Sequence, residues 1–174
     1  MKKSSRGFSL IELLIVVAII LIIAAIAIPN LLRSRIAANQ ASAVGSLRTL
    51  ITAEVTYATT YNTGYSSTLG ALGPPAAGAT PSPTYAGLVD EVLAGIGSAG
   101  GNATAPNQSS KSGYTFIYTP ATADSTGRIN TYTIQANPIS VGTTGTNFYY
   151  TDQTGVIRQN STAAAGTTDS PLAG

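Results

Sequence analysis

The chain of 174 residues has no cysteine, no histidine and no tryptophan, and a single methionine. Without cysteine there is no disulfide framework and no thiolate zinc site, and without Cys or His there is no nucleophilic triad of either kind. Charge is nearly as scarce. Nine Lys plus Arg and seven Asp plus Glu make 9% of positions charged, where a typical soluble domain carries about a quarter. The formal net charge of +2 is too small to point to a nucleic-acid partner. These absences leave no catalytic residues, no metal ligands and no cofactor to nominate, and a membrane-anchored enzyme or ligand-binding module would have, after residue 62, only scattered acids: Asp90, Glu91, Asp124, Asp152 and Asp169.

What the chain does have is one long apolar run. Met1-Lys2-Lys3-Ser4-Ser5-Arg6-Gly7 forms a basic leader, and Phe8 to Ile28 is apolar except for Ser9 and Glu12. These 21 residues would make about 31 Å of helix, matching a hydrocarbon core of about 30 Å. Lys2, Lys3 and Arg6 precede the run, which places the N-terminus in the cytoplasm and everything after Pro29 outside. Two ordinary readings compete here. A secretory signal could be cut at Ala25-Ile26-Ala27, although the run exceeds the usual signal core and contains a carboxylate. A plain single-pass anchor explains the length and leaves Glu12 unexplained, since a buried charge at the centre of a bilayer costs about 2.5 to 3.5 kcal/mol and less near an end.

A third reading supplies the partner that Glu12 lacks. Lys2-Lys3, then Gly7-Phe8-Ser9-Leu10-Ile11-Glu12-Leu13-Leu14, then Ala24-Ala25-Ile26-Ala27-Ile28-Pro29 resembles the class III signal of type IV pilins and type II secretion pseudopilins, and is most like a type IVa major pilin. The resemblance implies cleavage between Gly7 and Phe8 by a prepilin peptidase that then methylates the amino group of Phe8. It also implies that Glu12, fifth in the mature chain, docks against the N-terminal ammonium of a neighbouring subunit. The implied partners are further copies of the chain in a homopolymer, the peptidase/methyltransferase, an assembly machine with its ATPase and inner-membrane platform, and lipid before assembly. The implied course runs from a single-pass inner-membrane precursor to an extracellular pilus serving adhesion or motility, or to a periplasmic piston if the chain is a pseudopilin. Two features depart from the family: Leu21 stands where a glycine is usual midway along the run, and the usual C-terminal cysteine pair is missing. Any loosening of the helix during assembly would therefore rest on Pro29.

The physics of the pairing stands apart from the family. Cutting after Gly7 removes three cations and creates an ammonium four residues before Glu12, so charge neutrality in apolar surroundings requires a pair, and between staggered helices that pair sets the axial register.

Beyond Pro29, which should kink or interrupt the helix, Leu31, Leu32, Ile36, Ala43, Val44, Leu47, Leu50, Ile51, Val55, Ala58 and Tyr61 recur at three- and four-residue steps. The expectation is one helix from about Ser9 to Tyr61, with residues 8–29 as the membrane and assembly half and 30–61 as the amphipathic half. Arg33, Arg35 and Arg48 lie just outside the span and suit solvent or head groups, or contact between subunits. Residues 62–112 read as a long loop with a short helix near 85–95, suggested by Leu88, Val89, Val92, Leu93 and Ile96 and closed by Gly95 and Gly97.

From Gly113 the period becomes two, with Tyr114, Phe116 and Tyr118, then Tyr132, Ile134 and Ala136, then Phe148 and Tyr150. Asp124-Ser125-Thr126-Gly127 and Asp152-Gln153-Thr154-Gly155 mark two hairpin turns. The expected fold class is α+β, the helix packing on a four-stranded antiparallel sheet at about 113–119, 129–136, 147–152 and 155–159, within a sheet region 113–160 followed by a flexible tail 161–174; the resemblance implies that this is a type IV pilin fold. The Asp turns invite a calcium reading, which pseudopilins of the major type would support, yet too few carboxylates surround them for six to eight oxygen ligands. Sequons at Asn102, Asn107 and Asn160 lie in expected loops, and the Ala/Thr/Gly tail could carry O-linked sugar.

Overall fold

The structure is a computed structural model that describes residues 8–96 and 107–172. Gly7 and the rest of the leader, Gly97 and the Asn102 sequon lie outside the described residues. The chain divides into two compact units, Met1–Arg35 and Ile36–Gly174. One helix, α1 (Leu10–Tyr61), supplies all the described secondary structure of the first unit and enters the second. The helix passes through Pro29 without interruption, so the break expected there is absent.

The second unit is built on the outer part of α1. Ala43, Ser46, Leu47, Leu50, Ala53, Glu54 and Tyr57 are buried, at the three- and four-residue steps of one helix face. Facing residues come from β1 (Gln108–Lys111), β2 (Tyr114–Pro120), β3 (Tyr132–Pro138), β4 (Phe148–Asp152) and β5 (Arg158–Asn160), paired in that order as an antiparallel meander. Tyr114, Phe116 and Tyr118 of β2, Tyr132, Ile134 and Ala136 of β3 and Tyr149 of β4 are all buried in one core with Leu47 and Leu50. The period-two pattern arises because alternate side chains of a strand share a face, and here that face packs on the helix.

Four expectations are corrected. The sheet has five strands, because Gln108–Lys111, inside the segment read as loop, pairs with β2 through Ser109 opposite Phe116. Its inward residue is a serine, so it carries no apolar alternation. The helix expected near 85–95 shrinks to α2 (Glu91–Ala94), capped by the Asp90 carboxylate accepting the Leu93 amide and ended by Gly95 at φ 73°. Any side chain at Gly95 would collide with the Gln108 carbonyl, which fixes glycine there. The preceding residues are non-helical instead: the amides of Ala86, Gly87 and Leu88 donate to the carbonyls of Ala71, Gly73 and Leu72, beside a 3-10 turn at Leu69–Leu72.

The last strand begins at Arg158, since Asp152 to Gly155 turns and Ile157 is drawn inward. Finally, the tail is fixed over its described part. Gln159 donates to Ser170, Leu172 to Ile157, and the Gln135 amide group to Ala165, which is 1% exposed. That last contact lays the tail over the outer sheet face, where Tyr150, the register partner of Gln135, is also buried.

One polar residue sits at the centre of this core. Glu54 is fully buried, and its two oxygens accept the Ser66 amide at 2.9 Å and the Ser66 hydroxyl at 2.6 Å. Tyr118 closes the group by donating its hydroxyl to the Ser66 carbonyl at 2.7 Å. Burial raises the Glu54 carboxyl above its ordinary value and outweighs the Ser66 bonds that favour the anion. Burial likewise pushes the Tyr114 hydroxyl, which donates to the Asn147 carbonyl, up to about 12.

Because Glu54 holds its proton more tightly folded than unfolded, its contribution is fully present below the ordinary carboxylate range and is lost as pH rises towards the folded value. The full chain in detergent should therefore melt at lower temperature as pH is raised through that window. Glu54→Gln, which keeps an acceptor for Ser66, should flatten this dependence, and an unchanged slope in that variant would assign it to another group.

Candidate assembly site on the N-terminal helix

Helix α1 begins as a capped helix begins. Leu13 donates its amide to the Ser9 carbonyl, and the Ser9 amide donates to Glu12 Oε2 at 2.9 Å. Glu12 thus occupies the third helical position and reaches back to the capping residue, as the acidic member of a capping box does. A carboxylate there also meets the positive end of the helix dipole. Among the described residues the ion pair is Lys111 with Asp90 at 2.8 Å, and Glu12 there has the Ser9 amide as its partner.

Phe8 is 82% exposed, and an apolar stretch of α1 long enough to cross a membrane has none of its residues buried. The exposed aliphatics continue through Leu31 and Leu32. Bare apolar surface of this extent does not persist in water, since soluble monomers rarely leave more than a few hundred Å² contiguous.

Pro29 lies 17 residues beyond Glu12 on the same helix, about 26 Å along its axis. Phe8 and Glu12 therefore share one helix end, and Pro29 marks the other end of the apolar run. Pro29 lacks the amide that would bond four residues back, while Ser34 donates its hydroxyl to the Asn30 carbonyl at 3.0 Å.

A further feature of α1 escapes a reading of hydropathy alone. Thr49, Thr52, Thr56 and Thr59 are exposed, and each donates its hydroxyl to the carbonyl four residues earlier. With the hydroxyls turned inward along the helix, the methyl groups face out beside Gly45, where a side chain would meet open space. Small residues and self-satisfied hydroxyls of this kind let helices approach closely. The recurrence of Gly45, Thr49, Thr52, Thr56 and Thr59 at steps of four and three is the sequence signal for this face.

The other sequence candidates prove to be structural. Asp124 accepts the Thr126 hydroxyl at 2.6 Å, the Asn130 amide group at 2.8 Å and the amides of Thr126 and Arg128. The Thr126 and Asn130 bonds hold its carboxyl well below the usual carboxylate range. Asp152 makes the same turn with Thr154, and Gly127 and Gly155 take the left-handed conformation at the fourth position of each turn. Asn107 accepts the Leu69 amide, and Asn160 accepts the amides of Thr162 and Ala163 while donating to Asp169, so both sequon asparagines are engaged as turn and strand anchors. Among the described residues, no three acidic side chains converge on one point.

Residues 2–28 match the family model described as the prokaryotic N-terminal methylation motif. The chain opens with a prepilin signal. Over 53 residues it is 51% identical to the type IV major pilin protein PilA of Myxococcus xanthus, covering 30% of this chain and 24% of that one. Over 37 residues it is 62% identical to the type IV wide pilus major component PilA4 of Thermus thermophilus, covering 21% and 28%. The chain thus spans about a quarter of the length of the curated relatives it matches. No solved structure matches it significantly. The α+β architecture, a long apolar N-terminal helix with a C-terminal antiparallel sheet, is that expected of the type IV pilin fold.

Because the turn carboxylates already use their oxygens on amides and hydroxyls, adding calcium after chelation should leave the melting of the full chain in detergent unchanged. A calcium-dependent rise in melting temperature would show a site that these carboxylates help to form.

Proposed function

We propose that this chain is a structural subunit of a type IV pilus, serving adhesion or motility. The observation that carries the reading is a prepilin signal placed directly on an uncovered apolar helix whose sole charge before Arg33 is Glu12. Prepilin peptidase hydrolyses the Gly7–Phe8 bond, leaving a carboxylate on Gly7 and an amine on Phe8, and the amine then displaces the leaving group of an electrophilic methyl donor, forming an N–CH3 bond and releasing one proton. The precursor spans the inner membrane once with its N-terminus in the cytoplasm. An assembly machine with its ATPase and membrane platform then moves the subunit from lipid into an extracellular homopolymer.

The exchange is physically balanced. Sister helices solvate an apolar face about as well as lipid does, so apolar contact alone has little preference between the two. Charge decides the register. The Phe8 ammonium of one subunit and the Glu12 carboxylate of another are each costly in apolar surroundings and neutralise one another when the stagger brings them together. Pro29 supplies the missing amide at which the helix can loosen as it packs. The side-chain charge of the cut chain, six Lys plus Arg against seven Asp plus Glu, gives no basis for strong nucleic-acid binding. The shortage of polar chemistry outside the turns supports a structural rather than enzymatic role.

The N-terminal mass of the protein isolated from its cells tests the processing step. A chain beginning at Phe8 with one added methyl is expected, whereas one beginning at Ile28 would mean ordinary secretion and overturn the reading. Wild-type chain should appear in filaments sheared from cells; a pool confined to the envelope would instead indicate a secretion pseudopilin. In Glu12→Leu, cutting and insertion should persist while the sheared fraction falls by about tenfold or more, the scale set by one unpaired charge at about 2.5 to 3.5 kcal/mol. Normal filament yield from that variant would remove Glu12 from assembly.

A further inference from the structure

Two large aliphatic side chains stand out on the second unit. Ile139 is 59% exposed and Val141 is 61% exposed, both on the connection between β3 and β4. This connection is held in shape. The Ile139 amide donates to the Gly113 carbonyl at 3.0 Å, the Gly142 amide to the Gly145 carbonyl at 2.8 Å, and Thr144 bonds Ser140 through both its amide and its hydroxyl. Gly142 takes φ 81°, the left-handed conformation that closes the loop. A loop fixed this way cannot fold its two aliphatics inward.

The loop is also tied to a particular place on α1. Asn39 donates its side-chain amide to the Thr144 carbonyl at 2.9 Å, and Gln40 donates to the Thr146 hydroxyl at 2.7 Å. Asn39 follows Arg35 by four residues, so the covalent chain keeps the two within about 14 Å at any angle. Arg33 and Arg35 are the first cations after the apolar run, where head groups meet a spanning helix. Residues 129–151 contain no Lys, Arg, Asp or Glu, so no charge opposes burial of the loop in an interface.

The geometry points to a lipid-contact site: Ile139 and Val141, carried on the loop that Asn39 and Gln40 anchor, rest in the outer interface of the membrane before the subunit is assembled. This rests on the reading of residues 8–29 as a membrane span. Shallow insertion of aliphatic groups into the head-group and acyl boundary is how interfacial segments bind, and the chain's own span supplies the tether.

The absence of cysteine makes the test clean, since one introduced thiol takes one probe. Full-length Val141→Cys, Ser125→Cys and Ile20→Cys chains, each labelled with an environment-sensitive fluorophore, are reconstituted into vesicles of phosphatidylethanolamine and phosphatidylglycerol containing phosphatidylcholine spin-labelled at shallow or deep positions. Ile139→Cys serves as a second reporter of the loop. The expected result is a blue-shifted emission at position 141, quenched by the shallow label and unchanged as protein is diluted into lipid, with position 125, in the Asp124 turn, fully wet and unquenched. If positions 139 and 141 are as wet as 125 while position 20 is quenched by the deep label, the loop inference is overturned and the span stands. If position 20 is not quenched, the span itself fails and the inference with it. A blue shift at 141 that disappears on dilution would show that a second copy covers the loop, which also overturns lipid contact.

Discussion

Everything in this molecule is arranged around an apolar helix surface that water cannot be left to cover. Among the described residues none from Phe8 to Leu32 is buried, so covering this surface falls to lipid or other helices. Apolar side chains are nearly indifferent between these two, because neither offers hydrogen bonds and both offer dispersion. A switch from one to the other is therefore governed by the few polar groups on the helix, and before Pro29 these are Ser9 and Glu12. In the uncut chain Glu12 is satisfied locally by the Ser9 amide. Under the proposed processing, cleavage after Gly7 would place an ammonium four residues before Glu12, and the carboxylate would then gain an ion-pair partner.

The second unit solves a different problem, how to hold a sheet and a long tail without disulfides. Its core is dominated by tyrosine, with Tyr118 and Tyr132 stacked at 5.8 Å and Tyr65 edge-on to Tyr132 at 4.7 Å. Tyrosine fills volume as phenylalanine does and also carries a donor that can reach a partner. Tyr57, Tyr114 and Tyr118 use theirs on the carbonyls of Pro83, Asn147 and Ser66, in segments that are otherwise loop or strand end. The tail is closed by Asn160 on the Asp169 carboxylate and by Arg158 on the Asp169 carbonyl. A set of hydrogen bonds around one aspartate thus holds the tail where a covalent link is not available.

The parts legible in the sequence were those where burial follows a period. Leu47, Leu50 and Tyr61 announced the helix face, Tyr114, Phe116 and Tyr118 announced β2, and the Asp-x-Thr-Gly turns announced two connections that the structure builds in the same way. Illegible parts were those where polar residues do the work of apolar ones. Gln108–Lys111 reads as loop because its inward residue is Ser109, and its pairing is decided by the neighbouring strand. Glu54 gives no apolar signal on its helix, yet Ser66, twelve residues later, satisfies it inside the core. The tail reads as disordered from its Ala, Thr and Gly content because its anchors, Asn160 and Asp169, are single residues. At the assembly site the contrast is sharper. One carboxylate in an apolar run is conspicuous, while the threonine face of α1 depends on where each hydroxyl turns, which no composition reveals.

Scarcity of charge has a physical consequence for a chain that assembles in many copies. In a filament of identical subunits, every unit of net charge is repeated with each copy, and like charges brought within a Debye length of about 8 to 10 Å repel. With the proposed cut after Gly7, the chain would carry six Lys plus Arg against seven Asp plus Glu and would add little to that repulsion in such a filament. Solubility, which highly charged proteins obtain from that repulsion, must come instead from hydroxyls and amides on the exposed loops. Those same neutral groups form the rigid turns at Asp124 and Asp152 and the anchored loop at Asn39 and Gln40. Low charge, a hydroxyl-rich surface and a single carboxylate in the apolar segment are therefore compatible with the proposed filament, in which copies would pack side by side while one pairing fixes their stagger.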